Sequence, residues 1–146
     1  MLFTACSTKH YEQSDTKIVT IKSPKIKFSD IGYVRHTKSA IELELFIAGH
    51  VFQKIYIDGR ICLSNACMSK RSFNAEYLNK NYPENILQNI ILSRAIYSGK
   101  NREKTDAGFV QKIQNKAVDI TYRVTSQESF FKDRKNHILI KIRETH

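Results

Sequence analysis

Between Ala40 and Ala48 the chain reads AIELELFIA. Ile41, Leu43, Leu45 and Ile47 recur at every second place, and Glu42 and Glu44 stand between them. Successive side chains of a strand point to opposite faces, so this spacing puts the aliphatics on one side and the carboxylates on the other. The segment specifies a half-buried strand, and such a strand commits the chain to a sheet with one face on a core. Gly49-His50 and then VFQKIYI at 51–57 predict a hairpin, with Asp58-Gly59 as the next turn.

The same rule extends to both ends. KIVTIKS at 17–23 sets Ile18 and Thr20 against Val19 and Ile21 until Pro24 ends the run, and KIKFSDIGYVRH continues with weaker alternation. VDITYRVT at 118–125 alternates Val118, Ile120, Tyr122 and Val124 with polar residues, and HILIKIRE at 137–144 carries Ile138, Ile140 and Ile142 on one side. These two strands are expected to pair with each other. Their connection, SQESFFKDRKN at 126–136, reads as a long loop carrying Phe130, Phe131, Lys132, Arg134 and Lys135, a candidate interaction loop. Its adjacent phenylalanines either cap the core or form an aromatic tip that touches a membrane or a partner.

Only the middle changes period. Phe73 and Tyr77 stand four apart, and Ile86, Leu87, Ile90 and Ile91 form an apolar stripe at helical spacing after Pro83 and Glu84, which suit a first helical turn. GKNREKTDAG at 99–108 reads as a charged loop. Five to seven strands with one helical insertion around residues 72–94 make a mostly β chain, a β-sandwich rather than an α/β fold, because strands and helices do not alternate. At 146 residues one domain suffices, expected over 17–146 behind a leader and polar tether at 1–16.

Cys6 closes the sequence LFTAC, which resembles the processing motif of bacterial lipoproteins, with Phe3 where that motif usually has an aliphatic residue and Leu2 one step further away. Five residues are too few for the charged start and roughly 7–15-residue apolar segment of an export signal, so the leader is expected to begin upstream. STKHYEQSDTK then reads as a polar tether, and Ser7 fits the sorting class that sends lipoproteins to the outer membrane. Cys62 and Cys67 remain as a close pair, either bridged in an oxidising compartment or left as two buried thiols.

No G-x-S-x-G elbow occurs, the glycines at 32, 49, 59, 99 and 108 form no phosphate loop, and the histidines at 10, 36, 50, 137 and 146 show no metal-ligand spacing. The reading therefore expects no enzyme, no cofactor and no metal. The formal charge of +10 favours anionic partners without choosing among phospholipid, envelope polymer and nucleic acid. No apolar run approaches the ~20 residues that span a bilayer as a helix.

The lipobox-like start together with CMSKRSFNAEYLNKNYP between strands resembles the small envelope lipoproteins of epsilonproteobacteria, which adopt a variant immunoglobulin-like sandwich. That resemblance implies a lipid-anchored, non-catalytic structural or protein-interaction module of the cell envelope, serving adhesion or envelope assembly. It would sit at the outer membrane, facing the periplasm or the cell surface, with a protein partner. Nucleic acid is not the partner expected on this reading; the alternative reading is a basic nucleic-acid-binding domain.

Overall fold

The computed structural model describes residues 13–64 and 66–145. Six strands come first: β1 (Gln13–Lys22), β2 (Lys27–His36), β3 (Ile41–Ile47), β4 (His50–Ile57), β5 (Ile61–Leu63) and β6 (Ala66–Met68). Two helices follow, α1 (Lys70–Tyr77) and α2 (Ile86–Ile91), then a 3₁₀ turn at Tyr97–Gly99. Five strands complete the chain: β7 (Glu103–Lys104), β8 (Gly108–Gln114), β9 (Asp119–Thr125), β10 (Glu128–Asp133) and β11 (Ile138–Glu144). The mostly β class expected from the sequence holds, and the architecture is sandwich-like.

All eleven strands join one antiparallel sheet in the order β6-β5-β4-β3-β2-β1-β11-β10-β9-β8-β7. The chain thus makes two meanders in succession. They are fused where β1 pairs with β11, Val19 opposite Ile142 and Ile21 opposite Ile140. Inward residues of both meanders and the apolar stripe of α2 form a single core cluster, with Val19, Leu43, Ile90, Tyr122, Phe131 and Ile140 fully enclosed. α1 starts where the Ser69 hydroxyl accepts from the Ser72 backbone N–H at 3.0 Å, and it packs Phe73 against Tyr77 with ring centroids 5.0 Å apart. α2 begins three residues after Pro83, so that proline stands in the preceding turn rather than in the helix, its carbonyl accepting from Ile86 N–H at 3.1 Å. β8 opens on a residue that must be glycine, since a Cβ at Gly108 would fall 2.0 Å from the Val124 carbonyl oxygen.

Several expectations need correction. The strand over 118–125 does not pair with the one over 137–144: β10 lies between them, bonded to both. The supposed loop at 126–136 is therefore a strand with two short turns. Phe131 is buried in the core, and only Phe130 faces outward. Within the charged segment at 99–108, Glu103–Lys104 forms the edge strand. β1 starts at Gln13, upstream of the expected boundary at 17, because Gln13 to Thr16 find backbone partners from His36 to Tyr33 on β2. Ile47 does not share the buried face with Ile41, Leu43 and Leu45. A register shift between Leu45 and Phe46 releases it, and Ile47 is 46% exposed. Cys6 lies outside the described residues.

Candidate binding face

The core occupies one side of the sheet; the other is exposed, and strand register decides which residues meet there. Lys112 stands opposite Thr121, Thr121 opposite Lys132, Lys132 opposite Leu139, Leu139 opposite Lys22, and Lys22 opposite Lys27. One row across six strands therefore carries four lysines, all exposed. Among the described residues none of the four has an ion-pair partner. The adjacent row runs Val110, Arg123, Phe130, Lys141, Thr20, Ser29. There the Arg123 guanidinium lies over the Phe130 ring, 4.7 Å from its centroid, while Lys141 reaches Glu128 at 3.8 Å.

Two shallow grooves follow these rows. A groove of about 760 Å³ runs over β8 and β9 past Lys112, Thr121, Arg123 and Arg134, with Asp119 as the acid in its lining. A second, of about 350 Å³, passes Lys22, Lys132, Arg134 and His137. Arg134 lines both, so the two adjoin at the β10–β11 turn. Of the expected interaction loop, Phe130, Lys132 and Arg134 thus reach this face. Phe131 does not, and Lys135 is turned to the Lys116 carbonyl.

The turn that carries Arg134 is held from below by one buried carboxylate. Asp133 Oδ1 accepts from the backbone N–H of Asp119 at 3.1 Å, Lys135 at 3.1 Å and Asn136 at 3.3 Å. Its Oδ2 accepts from the Tyr82 hydroxyl at 2.6 Å and from Asn136 Nδ2 at 2.6 Å. A buried carboxylate is tolerated when its lone pairs are filled in this way. Burial, and then the hydrogen bond to Asp133, push the Tyr82 hydroxyl far above its ordinary range. Burial and the Asp133 charge raise Tyr97 to about 12. Burial raises Tyr122, whose hydroxyl donates to the Arg94 carbonyl at 2.8 Å. These tyrosines stay protonated and structural at any ordinary pH.

At the opposite edge Cys62 and Cys67 form a disulfide. The β5–β6 hairpin places them directly opposite each other, since Ile61 pairs with Met68 and Leu63 with Ala66. Cys67 is exposed.

Among the described residues no group of three or more His, Cys, Asp and Glu side chains could hold a metal ion. No described helix is long and apolar enough to cross a membrane. No family model, curated protein or solved structure matches the chain.

Sequence reasoning reached Phe130, Lys132 and Arg134 but missed Lys22, Lys27, Lys112 and Arg123 as their companions. Each is an ordinary polar place in a strand. The pairing of β1 with β11, which joins chain segments from opposite ends, brings in Lys22 and Lys27, and the pairing of β10 with β9, hidden while β10 read as a loop, brings in Arg123 and Lys112.

Proposed function

We propose that this chain is a non-catalytic binding module of the cell envelope, held to a membrane by lipid on Cys6, with the exposed basic sheet face as its contact surface. The observation that carries the reading is the disulfide between Cys62 and Cys67, one of whose sulfur-bearing residues is exposed. Bridges of this kind persist in oxidising compartments and are rare in a reducing cytosol. The lipobox-like LFTAC and the following polar residues add support, because a lipid on Cys6 would need a spacer between bilayer and body. Several acyl chains, at about 0.8 kcal/mol per buried methylene, would make release slow. Ser7 supports a place at the outer membrane.

The experiment is fractionation of the producing cells, with mass analysis of the N-terminal peptide and thiol labelling without reductant. Expected are membrane recovery, an acylated Cys6 and no label on Cys62 or Cys67. A soluble cytosolic chain with all three thiols free would overturn the proposal.

A further inference from the structure

The lysine row has no ion-pair partner among the described residues; the acids nearest it are Asp119, which lines the groove over β8 and β9, and Glu128, which pairs with Lys141 of the adjacent row at 3.8 Å. Glu44 pairs with Lys54 at 3.2 Å, Glu84 with Arg71 at 3.0 Å, and Glu144 with Lys17. Four like charges on one row repel one another and destabilise the free sheet slightly. Their natural complement is a partner with anionic groups in series. From Lys112 to Lys27 the row crosses five strand gaps of about 4.8 Å each, roughly 24 Å in all.

The twist general to β-sheets bears on the choice among anionic partners. Neighbouring strands rotate by about 20–25°. Across five gaps the row therefore turns by roughly 100° or more, and its lysines point in progressively different directions. A flat bilayer could meet only part of it, and a stiff duplex could not follow it. A flexible chain can. The second row adds what a chain of phosphates alone would not use: the guanidinium plane of Arg123, backed by the Phe130 ring, is a flat cationic platform of the kind on which bases stack.

We propose that this face binds single-stranded nucleic acid, its phosphates along Lys112, Lys132, Lys22 and Lys27 and a base on the Arg123–Phe130 pair. The grooves joined at Arg134 give the strand its path. This names the partner of the binding module proposed above and rests on the chain being such a module, though not on the lipid at Cys6.

The test uses the full, oxidised chain and a labelled 12-nucleotide oligothymidine strand, with anisotropy read over a series of salt concentrations. Saturable binding is expected, with log affinity falling against log salt at a slope of about −3, since each neutralised phosphate of a single strand contributes about −0.7. The double variant Lys22→Glu/Lys132→Glu should lose at least tenfold in affinity. Lys38→Glu/Lys80→Glu, equal in charge change but off the row, should stay within threefold of the parent. Phe130→Leu should weaken oligothymidine and leave an abasic strand of the same length unaffected. All these variants alter side chains outside the core, and matched thermal unfolding would confirm folding.

Absence of saturable binding, or equal losses in the two double variants, would overturn the proposal. Equal affinity for abasic and base-bearing strands would make the ligand a phosphate polymer in general. Tighter binding to vesicles of one part phosphatidylglycerol to three parts phosphatidylcholine would make this a membrane face. Either result would also overturn it. Acylated Cys6 without strand binding would leave the envelope reading standing and remove this one; strand binding by a chain with bare Cys6 would do the reverse.

Discussion

From β1 to β5 the core-facing buried side chains are apolar, Val19, Ile21, Phe28, Val34, Leu43 and Ile57 among them. The buried polar groups of this half are Glu44, paired with Lys54 at 3.2 Å, and Ser23 in the β1–β2 turn, whose hydroxyl donates to the Tyr77 carbonyl at 2.7 Å. The C-terminal meander is built differently. β8 buries Gln111 and β10 buries Ser129 and Asp133, each fully or almost fully enclosed. Gln111 accepts from Ile96 N–H at 2.9 Å and donates to the carbonyls of Ile96 at 2.9 Å and Lys100 at 2.7 Å. Ser129 meets Ser93 at 2.6 Å, and Asp133 ties Tyr82 to the β10–β11 turn. The aliphatic meander gains stability mainly from apolar burial, which is non-directional. The polar meander gains position: each buried group is satisfied in one geometry only, so the helical connector and the basic face above it are held in place. The outer faces differ too. β2 to β4 expose Ile31, Tyr33, Ile47, Val51 and Phe52, whereas the row of cations runs from β8 across β10 to the end of β1 and the start of β2.

This contrast is broken most directly at Asp133. Asp133→Ala strands three backbone N–H groups, the Tyr82 hydroxyl and Asn136, and should cost about 3–5 kcal/mol in denaturant unfolding. Phe131→Ala in the same strand should cost a similar ~3–5 kcal/mol, while Lys132→Ala between them leaves the midpoint unchanged. Comparable effects at all three places would mean that β10 is not a core strand.

Alkaline pH comes next. Tyr82, Tyr97 and Tyr122 are held above their ordinary value near 10, so the folded state keeps protons that the unfolded chain releases. Their contribution is whole below about pH 10 and is lost as pH rises through the folded values. Each of them tilts stability by about 1.4 kcal/mol per pH unit over that range. Urea midpoints from pH 9 to 12 should be level and then fall. A midpoint that held to pH 12 would contradict the buried network.

The aliphatic half is probed by its disulfide. Because Cys62 and Cys67 close a very short loop, the Cys62→Ser/Cys67→Ser variant should lose about 2 kcal/mol or less, without loss of fold. Smallest of all is Tyr97→Phe. The Tyr97 hydroxyl is buried without a hydrogen-bond partner among the described residues, so removing it should be neutral or should stabilise by about 1 kcal/mol.

How much of this was legible follows from the same comparison. β3, β9 and β11 announce themselves because nothing but aliphatics and one tyrosine occupy their inward places. Among the strands that escaped, β8 and β10 have inward places that hold Gln111, Ser129 and Asp133, which break the period of two, while β5, β6 and β7 are two or three residues long and too short to show a period. The side chains that make the C-terminal meander specific also hid it. Tyr82, the partner of Asp133, lies 51 residues away along the chain, a distance no periodicity reports. The Cys62–Cys67 bridge was readable as an alternative because its register depends on one local hairpin. The lysine row was not, because it depends on β1 finding β11.

The claim that the basic row from Lys112 on β8 to Lys27 on β2 is the working face is tested most directly by residue-resolved NMR. Amide and lysine Nζ signals of the full chain would be followed as the 12-nucleotide strand is added. Shifts confined to Lys112, Arg123, Phe130, Lys132, Lys22 and Lys27 are expected, with Ile47, Val51 and Phe52 unmoved. Shifts centred on that apolar hairpin, or spread evenly over every exposed lysine, would contradict it.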